Sequence, residues 1–141
     1  MSVIADSGAI YALYDSKDKY HTSVRQVIQQ ESGTIIIPTV ILVEIDYLIR
    51  EFVGIHAELD FIADIMDGSY QLEPLLADDF RRCYDLINQY QGLDLGLADT
   101  AVMVIAERLD IYRVLTVDER DFRAVKPKKK PFVLLPADIW P

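Results

Sequence analysis

Five short apolar runs, each set apart from the next by a stretch with helical spacing, constrain this chain more than any other feature. The runs fall at Ser2 to Asp6, Thr34 to Ile37, Tyr70 to Leu75, Tyr112 to Val117 and Phe132 to Leu134. Helical spacing spans about Tyr20 to Glu31, and an apolar helix capped by Thr39 reaches about Phe52. A third helix covers Ala57 to Asp67 and stops at Gly68, and a fourth covers about Asp78 to Tyr90. After a break at Gly92, a fifth contains LADTAVMVIA and ends near Leu109. The Ser7–Gly8 pair behind the first run reads as a turn. Apolar strands alternating with helices build a parallel sheet covered on both faces, so the expected class is α/β, a three-layer α/β/α sandwich with about five strands. With 141 residues and no repeat, linker or low-complexity segment, a single domain over residues 1–141 is expected.

In such a sheet, function collects just beyond the carboxyl ends of the strands. Two runs end alike: VIAD places Asp6 at the exit of the first strand, and VLTVD places Asp118 at the exit of the fourth. A carboxylate there either caps the next helix or serves a site, and the pair together carries more weight than either alone. Two helices each hold an acid of their own. Asp99 shares a helix face with Val102, Met103 and Ala106, turned toward the core, with no lysine or arginine three or four residues away. Glu44, in VILVEIDYLIREF, has Tyr47 and Leu48 at those spacings, whereas Asp46 has Arg50 at i+4 and reads as a solvated ion pair. Asp94 precedes its helix and reads as the N-cap.

Asp6, Glu44, Asp99 and Asp118 are thus left without a partner. Brought to one crevice, like charges about 4 Å apart repel by several kcal/mol even at an effective dielectric of about 20. Proton sharing answers for one pair, but a divalent cation serves four carboxylates better, and all-oxygen ligation selects Mg²⁺, or Mn²⁺, over zinc. Neither histidine is placed as a zinc ligand. A cation held this way lowers the pKa of a water, polarises a phosphoryl oxygen and screens an incoming phosphate, so the expected chemistry is metal-assisted phosphodiester hydrolysis.

The stretches VIADSGAIYALYDSKDKYH, VILVEIDYLI, GLADTAVMVIAERL and VLTVDERDF, in this order and over nearly the whole chain, make it resemble the PIN domain family. The resemblance is closest to the single-domain, VapC-like ribonuclease toxins of VapBC toxin–antitoxin pairs. It implies a Rossmann-like sandwich and an Mg²⁺-dependent endoribonuclease acting on RNA. The implied form is a homodimer restrained by a small DNA-binding antitoxin. The family's acidic set falls on the same four residues. Asp6 and Asp99 would be the main metal ligands, and Glu44 would complete the shell or orient the nucleophilic water. Asp118 would assist through water or a second ion. Thr116 matches a small hydroxyl residue of the motif, suited to steadying a water or an Asp118 oxygen.

Other features bound the reading. No apolar run approaches the roughly 18 residues of a membrane span, and the apolar N-terminus lacks a basic flank and carries Asp6, so a cytoplasmic protein is expected. The net charge of −9 excludes an all-over nucleic-acid-binding surface but not a local basic site. Lys126, Lys128, Lys129 and Lys130 read as a solvated loop, with RNA contact as the alternative; Arg120 and Arg123 lie nearer the crevice and suit phosphate better. Asp121 is either a fifth acid or a partner of one of those arginines. His21 matches a position common in the toxins but reads first as a satisfied structural histidine. His56 sits at a helix start and Cys83 is a buried thiol. A receiver-type signalling domain shares the fold and an acidic Mg²⁺ pocket, but it would leave Asp99 and Glu44 without purpose. A nuclease without an antitoxin and a non-catalytic scaffold are the remaining alternatives.

Overall fold

Valine, isoleucine and leucine dominate the strands because branched side chains fill a pleated surface covered on both sides. The computed structural model describes residues 1–31 and 33–138. It places strands at β1 Val3–Ala5, β2 Ile35–Pro38, β3 Gln71–Glu73, β4 Arg113–Leu115 and β5 Val133–Leu135. Helices run at α1 Ser7–Tyr14, α2 His21–Gln30, α3 Leu42–Phe52, α4 Ile55–Met66, α5 Ala77–Gln89, α6 Leu97–Leu109 and α7 Arg120–Ala124. All four strand pairings are parallel, in the order β3-β2-β1-β4-β5. The chain moves outward from β1 in one direction as far as β3 and then returns to build β4 and β5 on the other side. With right-handed crossovers, that reversal puts α1 to α4 on one face and α5 to α7 on the other. The expected α/β/α sandwich with five parallel strands is what the chain forms.

The core is continuous through the three layers. Ile4 of β1, Ile10 of α1, Ile37 of β2, Ile45 and Ile49 of α3, Phe61 of α4, Leu86 of α5 and Met103 and Ile105 of α6 are all fully buried. Each such side chain contributes about 1.5–3 kcal/mol through removal from water. Helix α6 departs from the expected one-sided stripe, because every residue from Thr100 to Ala106 is buried between the sheet and α5. Cys83 is buried as expected, and His56 is the second residue of α4.

Several local expectations need correction. The Ser7–Gly8 pair does not form a turn but opens α1, which starts directly on the strand exit because the Asp6 carboxylate caps it, and α7 is a short helix to which the sequence pattern assigns no element. Thr39 does not cap α3 but opens a one-turn 3-10 helix, Thr39–Ile41, that leads into it. Asp94 is not the N-cap of α6: it follows a 3-10 turn with φ of 58°, a left-handed conformation that aspartate tolerates. Gly96 takes the cap position, and its N–H donates to Asp99 Oδ2 at 3.2 Å. Arg50 does not pair with Asp46; its Nη1 lies 3.3 Å from Glu58 Oε1 across to α4. Hydrogen bonding to Asp46 is the chief cause that raises the Glu58 pKa.

Arginines on α5 and α6 bind the second helical layer to the sheet edge. Arg82 makes two parallel bonds of 3.0 Å to Glu107. Arg108 reaches Asp79 at 3.0 Å, Glu73 of β3 at 2.9 Å and the Pro74 carbonyl at 2.9 Å. Arg108→Ala leaves Asp79 and Glu73 facing each other, at a cost of about 2–3 kcal/mol. The expected outcome is a melting temperature lower by about 5–10 °C by calorimetry, and an unchanged value would show that the network is only superficial.

Candidate active site

Parallel pairing carries strand exits β1 and β4 to the same edge. The Asp6 N–H donates to the Leu115 carbonyl at 2.9 Å, and the Thr116 N–H donates to the Leu135 carbonyl at 2.9 Å. Asp6 therefore leaves the sheet beside Thr116, at the point where the strand order reverses. Asp6 is half-buried, with Oδ1 accepting the Ser7 N–H at 2.9 Å and Oδ2 lying 3.2 Å from Thr116 Oγ. Thr116 is almost wholly buried. Its hydroxyl also lies 3.1 Å from the Asp118 carbonyl and accepts the Asp118 N–H at 3.1 Å, so its one proton serves Asp6 or that carbonyl, one at a time.

The other acids come from three further segments. Glu44, in the first turn of α3, is exposed at the rim and accepts a short hydrogen bond from Ser7 Oγ. Asp99, in the first turn of α6, is half-buried. Asp118 is exposed just past β4. The electrostatics tie them together. Burial pushes the Asp6 carboxyl up to about 6, with the negative charges of Asp99 and Glu44 adding to the rise and the Ser7 and Thr116 hydrogen bonds opposing it. Burial likewise raises Asp99, helped by Asp121, Glu44 and Asp118 and opposed by the Gly96 N–H. Among the described residues, no lysine or arginine lies within 4 Å of the carboxylates of Asp6, Glu44, Asp99 or Asp118. Nor do three of these groups, as they stand, form a ready-made metal cluster among the described residues.

Two residues enter the site that the sequence reading left aside or undecided. Ser7 links Asp6 to Glu44 through its N–H and its hydroxyl, a contact across 37 positions that no local pattern signals. Asp121, in the first turn of α7, acts on Asp99, and its buried Oδ1 has no hydrogen bond; the exposed Arg120 stands 3.8 Å from it. Arg123 is not a phosphate ligand in waiting, because Glu119 and Asp138 hold its guanidinium at 2.8 and 2.7 Å. The lysine loop lies away from the acids, at the other end of α6. The Lys128 N–H donates to Glu107, Lys129 reaches Asp110, and Lys130 covers the Tyr112 ring. His21 is structural, with Nδ1 2.8 Å from the Ala12 carbonyl.

A five-stranded parallel sheet in the order 3-2-1-4-5 with helices on both faces makes this an α/β/α sandwich, with acids from four segments near its switch point. No family model matches the chain. It is 29% identical over 125 residues to ribonuclease VapC26 of Mycobacterium tuberculosis (strain ATCC 25618 / H37Rv), covering 89% of this chain and 93% of that protein. Among solved structures, M. tuberculosis VapC20, described as a sarcin-ricin loop cleaving toxin, superposes with a TM-score of 0.73 at 14% identity over 79% of this chain and 86% of that one. VapBC2 of Rickettsia felis, solved bound to a DNA fragment from its promoter, gives 0.67 at 15% identity over 95% and 97%. A toxin–antitoxin complex from Klebsiella pneumoniae gives 0.70 at 15% over 92% and 98%. The fold is that of these proteins, and the resemblance to VapC-like PIN domain proteins stands.

The raised Asp6 carboxyl makes a thermodynamic prediction for the protein in chelator. Because its folded value of about 6 lies above the ordinary 3.8, folding takes up a proton, and that stabilisation is complete below about pH 4 and lost as pH rises through 6. Asp6→Asn removes the charged form and is expected to raise the melting temperature by about 3–6 °C at pH 7 and by much less at pH 4.5. An equal change at both pH values would show that Asp6 ionises freely in the fold.

Proposed function

We propose that this protein is a divalent-metal-dependent endoribonuclease that hydrolyses RNA phosphodiester bonds as the toxin of a toxin–antitoxin pair, in a single PIN domain over residues 1–141. The observation that carries the reading is the gathering of Asp6, Glu44, Asp99 and Asp118 around the switch point with no described cation against them. The ribonuclease name of the VapC26 relative supports the activity.

By donor chemistry the residues present suit a hard cation, although no three of them stand close enough to form a metal cluster among the described residues. The donors are all carboxylate oxygens, two of them destabilised as anions by burial and by each other, and Asp121 offers a buried oxygen without a hydrogen bond. Asp6 and Asp99 would hold Mg²⁺ or Mn²⁺, with Glu44 and Asp118 completing the shell. When bound, the cation supplies an activated water and stabilises charge on the phosphoryl group. The rest belongs to the chain. Thr116 and the Ser7 N–H fix both oxygens of Asp6, and the Gly96 N–H fixes Asp99 at the mouth of α6. Ser7 Oγ holds Glu44 on the open side of the crevice, where it orients the attacking water. Arg120, largely exposed beside Asp121, is the guanidinium placed to meet an RNA phosphate.

The partner assignments rest on other features. The Klebsiella and Rickettsia neighbours are toxin–antitoxin complexes, which supports a small DNA-binding antitoxin. Helices α3 and α4 expose Val43, Tyr47, Leu59 and Met66, the kind of apolar face that a homodimer or an antitoxin covers. No helix among the described residues is long and apolar enough to cross a membrane, and we assign the protein to the cytoplasm.

Asp99→Asn keeps an oxygen for the Gly96 N–H and removes the charge. It is expected to fold as the wild type does and to cleave RNA at least about 100-fold more slowly with Mg²⁺ or Mn²⁺. Full activity of that variant on a structured RNA pool would sink the assignment. Sedimentation of the isolated protein is expected to give twice the chain mass, and a monomer at micromolar concentration would remove the homodimer.

A further inference from the structure

Beside the acidic crevice lies a cavity of about 690 Å³ that the proposed chemistry does not use. It is formed by one face of α2, with Ser23, Gln26, Val27 and Gln30, and by the exits of β4 and β5, with Thr116 and Pro136; Tyr20, the residue before α2, also lines it. Its size is within the 300–1,000 Å³ of ordinary ligand pockets. Two observations say what suits it. It shares a wall with the active centre: the buried Thr116 lines it, and the Thr116 hydroxyl lies 3.2 Å from Asp6 Oδ2, so under the nuclease reading an occupant sits one residue away from the acids. Its polar lining is neutral: Gln26 and Gln30 sit one helical turn apart, and the lone acid, Glu119, is held by Arg123 at 2.8 Å. Besides Arg123, Lys19 stands against the lining: its Nζ lies 5.0 Å from the centre of the Tyr20 ring and covers one face of it, which leaves the other face for stacking. The lining offers amide donors and acceptors, an aromatic ring and an apolar floor, which is what a planar uncharged heterocycle takes.

We infer that this cavity receives the base of the RNA nucleotide next to the scissile phosphate, with Gln26 and Gln30 reading its edge and Tyr20 stacking on it. The inference rests on the nuclease reading for the identity of the occupant. Its consequence is a base preference at one position flanking the cut, set by α2 and not by the acids.

The test sequences the ends produced from a randomised RNA pool by the full chain with Mn²⁺, alongside the Gln26→Ala/Gln30→Ala double variant and Gln29→Ala as a control on the same helix outside the cavity. In parallel, the wild type in chelator is titrated with adenosine, guanosine, cytidine and uridine while its amide resonances are followed. Where the pool is cut, the profile decides. A flanking preference that falls at least about fivefold in the double variant and persists in Gln29→Ala supports the pocket, whereas an unchanged or absent preference overturns it. Where the pool is not cut, the nuclease reading falls by itself. The titration then decides: base-dependent shifts at Ser23, Gln26 and Gln30 keep the cavity as a nucleobase site, and their absence removes it.

Discussion

Parallel pairing of β1 with both β2 and β4 is the constraint on which the rest depends. A strand with parallel neighbours on both sides must be central, and a chain that builds outward from it in two directions places helices on opposite faces. The faces part at the carboxyl end between β1 and β4. Asp6 and Thr116 stand there because each is the next residue after its strand, and the ladder runs through their own N–H groups. The helices that bring Glu44 and Asp99 arrive from opposite layers, each with its acid in the first turn. Acids from first turns also meet the positive ends of those helices, which offsets part of the repulsion among them.

Electrostatically the molecule sorts its carboxylates into two groups. Glu31, Glu58, Glu73, Asp79, Glu107 and Asp138 are each matched with an arginine and hold layers or loops together. Asp6, Glu44 and Asp99 at the switch point are instead supported by hydroxyls and backbone amides, which position a carboxylate without neutralising it. That difference separates acids neutralised by arginine from acids left available to the cation of the proposed function, in a chain with a net charge of −9.

The sheet was legible because its strands are apolar runs of β-branched and leucine side chains; Asp6 and Asp118 were legible as strand exits, and Glu44 and Asp99 because no cation lies one helical turn away. What was not legible came from contacts between distant segments or from backbone geometry. Asp46 has Arg50 one turn away, yet Arg50 turns to Glu58, which lies on a helix that the sequence does not place beside α3. Asp94 looks like a cap by type and position, but the 3-10 turn before it sends the chain through a left-handed residue and leaves Gly96 at the cap. Arg123 sits near the strand exit in sequence, and Asp138, fifteen residues on, withdraws it.

The amino-acid sequence by itself determined the layer architecture, since alternation of strand and helix periods admits few other solutions, and it singled out four acids, two by their place at strand exits and two by the absence of a countercharge one helical turn away. Only the tertiary structure decided which residues stand behind those acids. Ser7 reaching Glu44, Thr116 reaching Asp6 and Asp121 entering from α7 are contacts set by how helices of different layers meet at one edge of the sheet. Hydrogen bonds act over about 3 Å, and no spacing along the chain specifies that distance between residues 37 or 110 positions apart.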